Sequence, residues 1–147
     1  MIPYASIYGH TEAVVRQLAD RLAAKGVTDI RLYDVAKIHP SYLVAEAFRC
    51  SHLVLASVTY NNGLFPPMET FLLDLKAHAF QNRWVALIQN GSWAPVSGKL
   101  MTALLSEMKN ITIDDTPLTL TSALLPHQDQ DLDYLADRIF QAITHSN

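Results

Sequence analysis

The sequence holds a single cysteine, Cys50, which excludes an internal disulfide and any CxxC redox or zinc pair. Redox chemistry in this chain therefore has to be carried by a bound cofactor, and Cys50 itself reads as a small buried apolar residue. Basic charge is also scarce. Eleven Lys and Arg stand against fourteen Asp and Glu, for a net charge of -3, and they are scattered, leaving no field for a polyphosphate backbone. Nucleic acid is not expected as a partner. No apolar stretch approaches the roughly 18 residues that cross a membrane, and no basic segment followed by an apolar run opens the chain. The expectation is a soluble, cytoplasmic protein with no membrane partner. The glycines form neither the Gly-Lys-Ser/Thr ending of a Walker loop nor the three-glycine dinucleotide fingerprint, so nucleoside triphosphate and NAD are disfavoured. Six histidines show no i,i+4 pair and no HxExDH string, so no metal ligands are expected.

What is present is an alternation of short apolar runs and helical stripes in 147 residues, half of them apolar. That suits one domain over residues 1–147. Met1 to Ala5 reads as the tail of a strand, and from Thr11 to Lys25 the apolar positions Val14, Val15, Leu18 and Leu22 have helical spacing, with Gly26 at the C-cap. Asp29 to Val35 alternates as an edge strand does. A short helix is expected over Ser41 to Arg49. Leu53-Val54-Leu55-Ala56 and Trp84-Val85-Ala86-Leu87-Ile88 are too short for helices and suit parallel strands buried on both faces. Between them, Pro66-Pro67 opens a helix with the stripe Met68, Phe71, Leu72 and Leu75. A helix over Pro95 to Met108, a β-branched run from Ile111 to Thr121, and a final helix from Asp129 to Ile143 complete the series. Strand and helix alternate about five times, which argues for an α/β fold with a parallel sheet covered on both faces. Because natural domains seldom start at a functional loop, Met1 is expected to be an engineered start or the cut edge of a longer polypeptide.

In such sheets a ligand sits beyond the carboxyl ends of the strands where strand order reverses, which singles out three loops. The first, Ser6-Ile7-Tyr8-Gly9-His10-Thr11, has one glycine, hydroxyls and no Lys or Arg. Helix N–H groups, the helix dipole and the hydroxyls of Ser6 and Thr11 suit a phosphate dianion there; the plain alternative is that Thr11 only caps the helix. The second loop, Val58-Thr59-Tyr60-Asn61-Asn62-Gly63, offers amides to the edge of a planar ring and an aromatic surface at Tyr60, or is simply a turn of Asn and Gly. The third, Asn90-Gly91-Ser92-Trp93-Ala94, carries a tryptophan that either stacks on a flat heterocycle or plugs the core.

At these residues the chain resembles the flavodoxin-like domain of A-type flavoproteins, the flavodiiron proteins, over essentially its whole length. The family loop S-x-Y-G-N-T appears as Ser6 to Thr11, a P-T-Y-N-N segment followed by Pro-Pro appears as Val58 to Asn62 with Pro66-Pro67, and Trp93 matches the tryptophan of the third loop. The resemblance implies a flavodoxin-like three-layer αβα sandwich with a five-stranded parallel sheet of order 2-1-3-4-5. It implies non-covalent FMN, with Ser6, Ile7, Tyr8, Gly9, His10 and Thr11 around the phosphate and Val58, Thr59, Tyr60, Asn61, Asn62 and Gly63 against the isoalloxazine. Asn90, Gly91, Ser92, Trp93 and Ala94 would cover the other side of the ring. No catalytic residue is expected, since the flavin supplies the chemistry.

In full-length relatives a metallo-β-lactamase-like diiron domain accepts the electrons and reduces oxygen or nitric oxide. Rubredoxin or a flavin reductase is the implied donor, and a homodimer is a common state. The resemblance further suggests that a peptide within Asn61-Asn62-Gly63 reorients with the state of the flavin, Gly63 giving the freedom. Three departures from the pattern stand out: His10 replaces asparagine and adds an imidazole near the phosphate, Val58 replaces proline, and the third loop lacks a tyrosine. Two rivals stand beside this reading. One is a stand-alone NAD(P)H:quinone reductase-like flavoprotein, and the other is a flavin-free protein-interaction module, although the strand ends Ser6, Ser57 and Gln89 lack the acidic cluster of a receiver.

Overall fold

A computed structural model describes residues 1–91, 95–121 and 123–146. The strands are β1 (Ile2–Tyr4), β2 (Leu32–Asp34), β3 (His52–Tyr60), β4 (Gly63–Leu64), β5 (Arg83–Asn90), β6 (Ile111–Ile113) and β7 (Leu118–Leu120). The helices are α1 (His10–Ala24), α2 (Pro40–Phe48), α3 (Pro66–Ala77), α4 (Ser97–Leu105) and α5 (Asp129–His145), the last entered through a short turn at Pro126–Gln128.

The two central strands alternate between two cores. Leu53 and Leu55 of β3 and Val85 and Leu87 of β5 face α2, α3 and α4, while Val54, Ala56, Ala86 and Ile88 face α1 and α5. Both faces are thus apolar, which is why these strands read as unbroken hydrophobic runs. The helix stripes meet them as the spacing predicts: Val14, Val15, Leu18 and Leu22 on one side, Met68, Phe71, Leu72 and Leu75 on the other, all buried. Each such side chain contributes about 1.5–3 kcal/mol on leaving water. Gly26 ends α1 as expected. At φ 103° it closes a Schellman motif, its N–H reaching the carbonyl of Ala23 at 3.0 Å and that of Val27 the carbonyl of Leu22 at 3.1 Å.

The sheet runs β2-β1-β3-β5-β6, with β7 also on β5 and every one of these pairings parallel. Taking β6 and β7 as one interrupted outer strand, this is the order 2-1-3-4-5. The expected strand from Ile111 to Thr121 is broken because Ile111 pairs with Arg83 but Leu118 with Ile88, two residues beyond the register that unbroken pairing would give. Arg138 of α5 holds the break, bonding the Asp114 carboxylate at 3.0 Å and the Thr116 carbonyl at 2.8 Å. A second departure is β4, which folds back antiparallel on the end of β3. The helix expected over Pro95 to Met108 shortens to Ser97–Leu105, since Val96 takes the capping position and Ser106 ends it. The strand expected over Asp29 to Val35 keeps only Leu32–Asp34, the residues paired with β1. Among the described residues no helix is long and apolar enough to cross a membrane.

Candidate functional site

All the parallel strands deliver their carboxyl ends to one edge, and the five helices begin there. Strand order reverses between β1 and β3, and at that point a cleft of about 160 Å³ opens. Ser6, Ile7, Tyr8, His10 and Thr11 of the first loop line it, with Val58 and Thr59 from β3 and Asn90 and Gly91 from the end of β5. The three loops singled out in the sequence therefore meet in one place. Ser92, Trp93 and Ala94 lie outside the described residues.

An unsatisfied helix start is an anion site, because the first N–H groups have no partner within the helix and the dipole adds about half a positive charge. Four of the five helix starts at this edge are already answered. At α2 the His39 ring accepts the Ser41 N–H at 3.2 Å. At α3, Pro66 and Pro67 have no N–H to offer. At α4, Thr59 Oγ1 accepts from the N–H groups of Val96 at 2.9 Å and Ser97 at 3.2 Å, and Gln89 Oε1 accepts from Gly98 at 3.1 Å. At α5 the first turn carries Asp129 and Asp131, which repel an anion. Only α1 remains: Gly9 turns into it at φ 81°, and no side chain caps it among the described residues.

The polar groups of the cleft fit the same reading. Ser6 Oγ is buried without a hydrogen-bond partner among the described residues. Thr11 is fully buried, and its Oγ1 accepts the amide Nδ2 of Asn90 at 3.3 Å. Thr11 is thus not the helix cap, a place taken by Gly9. Glu12, the one carboxylate in this helix turn, is tied up elsewhere: it accepts the Tyr4 hydroxyl and an Arg16 N–H, each at 3.0 Å. The Arg16 guanidinium and then the Tyr4 hydroxyl hold its carboxyl below the usual range. In return, burial and then the bond to Glu12 push the Tyr4 hydroxyl up to about 12.

Beyond Thr59 the second loop is a two-residue hairpin joining β3 to β4, with Tyr60 paired to Gly63. Asn61 and Asn62 sit at its tip with φ of 48° and 59°, the left-handed pair that such tight hairpins require. The conformational freedom expected at Gly63 therefore belongs to Asn61 and Asn62, while Gly63 is an ordinary strand residue. Tyr60 through Gly63 form the rim beside the cleft rather than its wall. Tyr60 is half-exposed and packs edge-on against Phe65 with ring centres 6.0 Å apart, and Tyr8 is 86% exposed on the opposite loop. Gly91 is needed for space: a β-carbon there would lie 3.1 Å from Pro95 Cβ and 3.3 Å from Thr59 Cβ. Thr59, Gln89 and Ser97, whose Oγ donates to the Ser57 carbonyl at 2.9 Å, hold the start of α4 against β3 and β5. In the sequence Gln89 reads only as a strand end and Ser97 not at all, since the contacts they make reach 9 and 40 residues along the chain.

No protein-family model matches the chain. A flavodoxin from the domain Archaea superposes with a TM-score of 0.79 at 20% identity, over 99% of this chain and 100% of its own. This chain has the flavodoxin fold. The same flavodoxin fold recurs as one part of larger proteins. Rubredoxin oxygen:oxidoreductase from Desulfovibrio gigas superposes with a TM-score of 0.89 at 24% identity, over 98% of this chain and 35% of that one. The Flv1 flavodiiron core from Synechocystis sp. PCC6803 gives 0.86 at 14% identity, over 99% and 36%. In sequence, the chain is 27% identical over 108 residues to the rubredoxin-oxygen oxidoreductase of Megalodesulfovibrio gigas, covering 74% of this chain and 27% of that protein. The chain spans about a quarter of the length of that relative and about a third of the two larger structures.

Proposed function

We propose that the chain binds one FMN at the α1 cleft and serves as an electron-transfer domain for a diiron centre on another domain or protein, which reduces oxygen or nitric oxide. The observation that carries the reading is the coincidence, among the described residues, of a helix start turned in by Gly9 without a side-chain cap and a Ser6 hydroxyl without a hydrogen-bond partner in the same cleft. A buried hydroxyl without a partner costs free energy that a ligand oxygen would recover. Among the described residues no Lys or Arg lines the cleft, so the cradle is a neutral set of donors, which suits a single phosphate dianion better than a di- or triphosphate.

In this reading the first-turn N–H groups of α1 with the hydroxyls of Ser6 and Thr11 donate to phosphate oxygens. The engagement of Glu12 by Tyr4 and Arg16 keeps the one nearby negative charge occupied. The hairpin Asn61-Asn62 and the half-exposed Tyr60 would take the edge and face of the ring, with Gly91 on the other side. Bound FMN supplies reversible electron uptake and release, and the chain's own residues supply binding and orientation. We propose rubredoxin as donor, which the likeness to a rubredoxin-oxygen oxidoreductase supports, with a flavin reductase as the alternative donor and the cytoplasm as the setting. The test is an absorbance spectrum of the purified protein before and after FMN is added and gel-filtered. Flavin bands retained at about one FMN per chain support the reading, and a colourless protein that retains none overturns it.

A further inference from the structure

Asn90 stands among residues whose sequence context assigns them to the isoalloxazine. Its position says otherwise. Along β5 it follows Ala86 and Ile88 on the face that packs against α1, whereas Gln89 follows Val85 and Leu87 on the α4 face. The residue is 3% exposed, and its Nδ2 donates to Thr11 Oγ1, on the second residue of α1 and 79 positions away in sequence.

A threonine hydroxyl has one proton and two acceptor lone pairs. With a lone pair occupied by the Asn90 amide, in a space where unpaired polar groups are costly, the Thr11 proton is left for an acceptor in the cleft that Thr11 lines. We infer that Asn90 is a positioning residue of the phosphate subsite: by donating to Thr11 Oγ1 it makes that hydroxyl a standing donor and so selects a phosphorylated flavin over an unphosphorylated one. The inference rests on the FMN reading above and adds to it a residue that reaches the phosphate through Thr11.

The experiment measures dissociation constants of FMN and riboflavin by flavin fluorescence quenching for the wild type, Asn90→Leu and Asn90→Asp. Leucine removes the donor. Aspartate keeps the shape but accepts the Thr11 proton and turns it from the cleft, which covers the case in which the leucine variant fails to fold. Loss of a charge-assisted hydrogen bond predicts FMN affinity lower by roughly tenfold to a hundredfold, with riboflavin affinity unchanged. Thr11→Val should cost as much in the wild type and little in either Asn90 variant, since the two residues act as a unit. Equal losses of FMN and riboflavin would mean that Asn90 touches the ring, and additive losses with Thr11→Val would mean that it acts alone; either overturns the inference. If the wild type binds no flavin at all, the FMN reading falls, and inorganic phosphate takes over as probe. Thermal stabilisation by phosphate that is lost in the Asn90 variants keeps the inference, and equal stabilisation overturns it.

Discussion

Gln89 and Gly98 are fitted so closely that the glutamine side chain leaves no room for a β-carbon on Gly98. The Gln89 Oε1 accepts the Gly98 N–H at 3.1 Å, and a β-carbon on Gly98 would stand 2.8 Å from that oxygen and 3.0 Å from Cδ. The amide cannot swing aside freely, because its Nε2 donates to Thr119 Oγ1 of β7 at 2.8 Å. Gly98→Ala should therefore destabilise the protein by about 1–3 kcal/mol, the usual range for overpacking, read as a lower urea midpoint. In a Gln89→Ala background the same substitution should cost much less. Equal costs in both backgrounds would show that the clash lies elsewhere.

Ala79 closes α3 at φ 58°, with its own N–H on the Lys76 carbonyl at 3.1 Å and that of Phe80 on the Leu75 carbonyl at 3.0 Å. This is the same motif that Gly26 makes after α1, but with a β-carbon in left-handed backbone, a strain of about 1–2 kcal/mol. Ala79 is exposed, so its methyl contributes little packing. Ala79→Gly should raise stability by about 1 kcal/mol, net of glycine's greater freedom in the unfolded chain. A melting temperature that falls instead would place the strain elsewhere.

Local chemistry explains how far the fold could be read from sequence. Leu53 to Ala56 and Val85 to Ile88 announced themselves because both faces are buried, and Gly26 because only a left-handed cap needed it there. Gly63 misled. It invited a flexible-loop reading, while the two left-handed residues are the asparagines before it, and the short β4 beyond them has too few residues to leave a pattern. The break between β6 and β7 did leave a mark, since Asp114, Asp115 and Pro117 interrupt the β-branched run from Ile111 to Thr121, but the arginine that holds it open comes from α5 and could not be read from the segment itself. The candidate site was legible as three loops but not as an arrangement. That Thr59 caps α4 and that Asn90 reaches Thr11 depends on register between segments 37 and 79 residues apart.

Tyr4 gives the protein a weakness at high pH. Its hydroxyl is pushed up to about 12 in the folded protein, chiefly by burial, against 10.0 for the unperturbed group. A raised folded value means that the folded state holds its proton after the unfolded chain has released it. Stability from this residue is intact below pH 10 and falls between about pH 10 and 12, by up to roughly 2–3 kcal/mol at about 1.4 kcal/mol per unit. Tyr4→Phe should cost about 1 kcal/mol near neutrality through the lost bond to Glu12, and the two stability curves should converge above pH 10 and cross before about pH 11, leaving the variant the more stable beyond that. Denaturant melts from pH 8 to 11.5 check this, with Tyr33 cancelling because both proteins carry it. Curves that stay parallel would show that Tyr4 ionises normally.

Ser6 separates ligand binding from stability by the sign of two effects. A serine whose hydroxyl helps hold the fold should lose stability when it is truncated. Ser6 Oγ instead is buried with no partner among the described residues, so without ligand it is a liability of about 1–3 kcal/mol. Ser6→Ala should leave the flavin-free protein as stable as the wild type or more so by about 1 kcal/mol, because alanine removes the unsatisfied group and the space it leaves is small. The same change should weaken FMN by tenfold or more, since a hydrogen bond to a charged phosphate is worth about 1.5–3 kcal/mol, and should leave riboflavin alone. The measurements are a urea melt of the apoprotein and a fluorescence titration with each flavin. A less stable apoprotein with unaltered FMN affinity would make Ser6 a structural residue and remove the phosphate from this end of α1. Opposite signs, a firmer apoprotein and a weaker complex, are what a hydroxyl held ready for a ligand must produce.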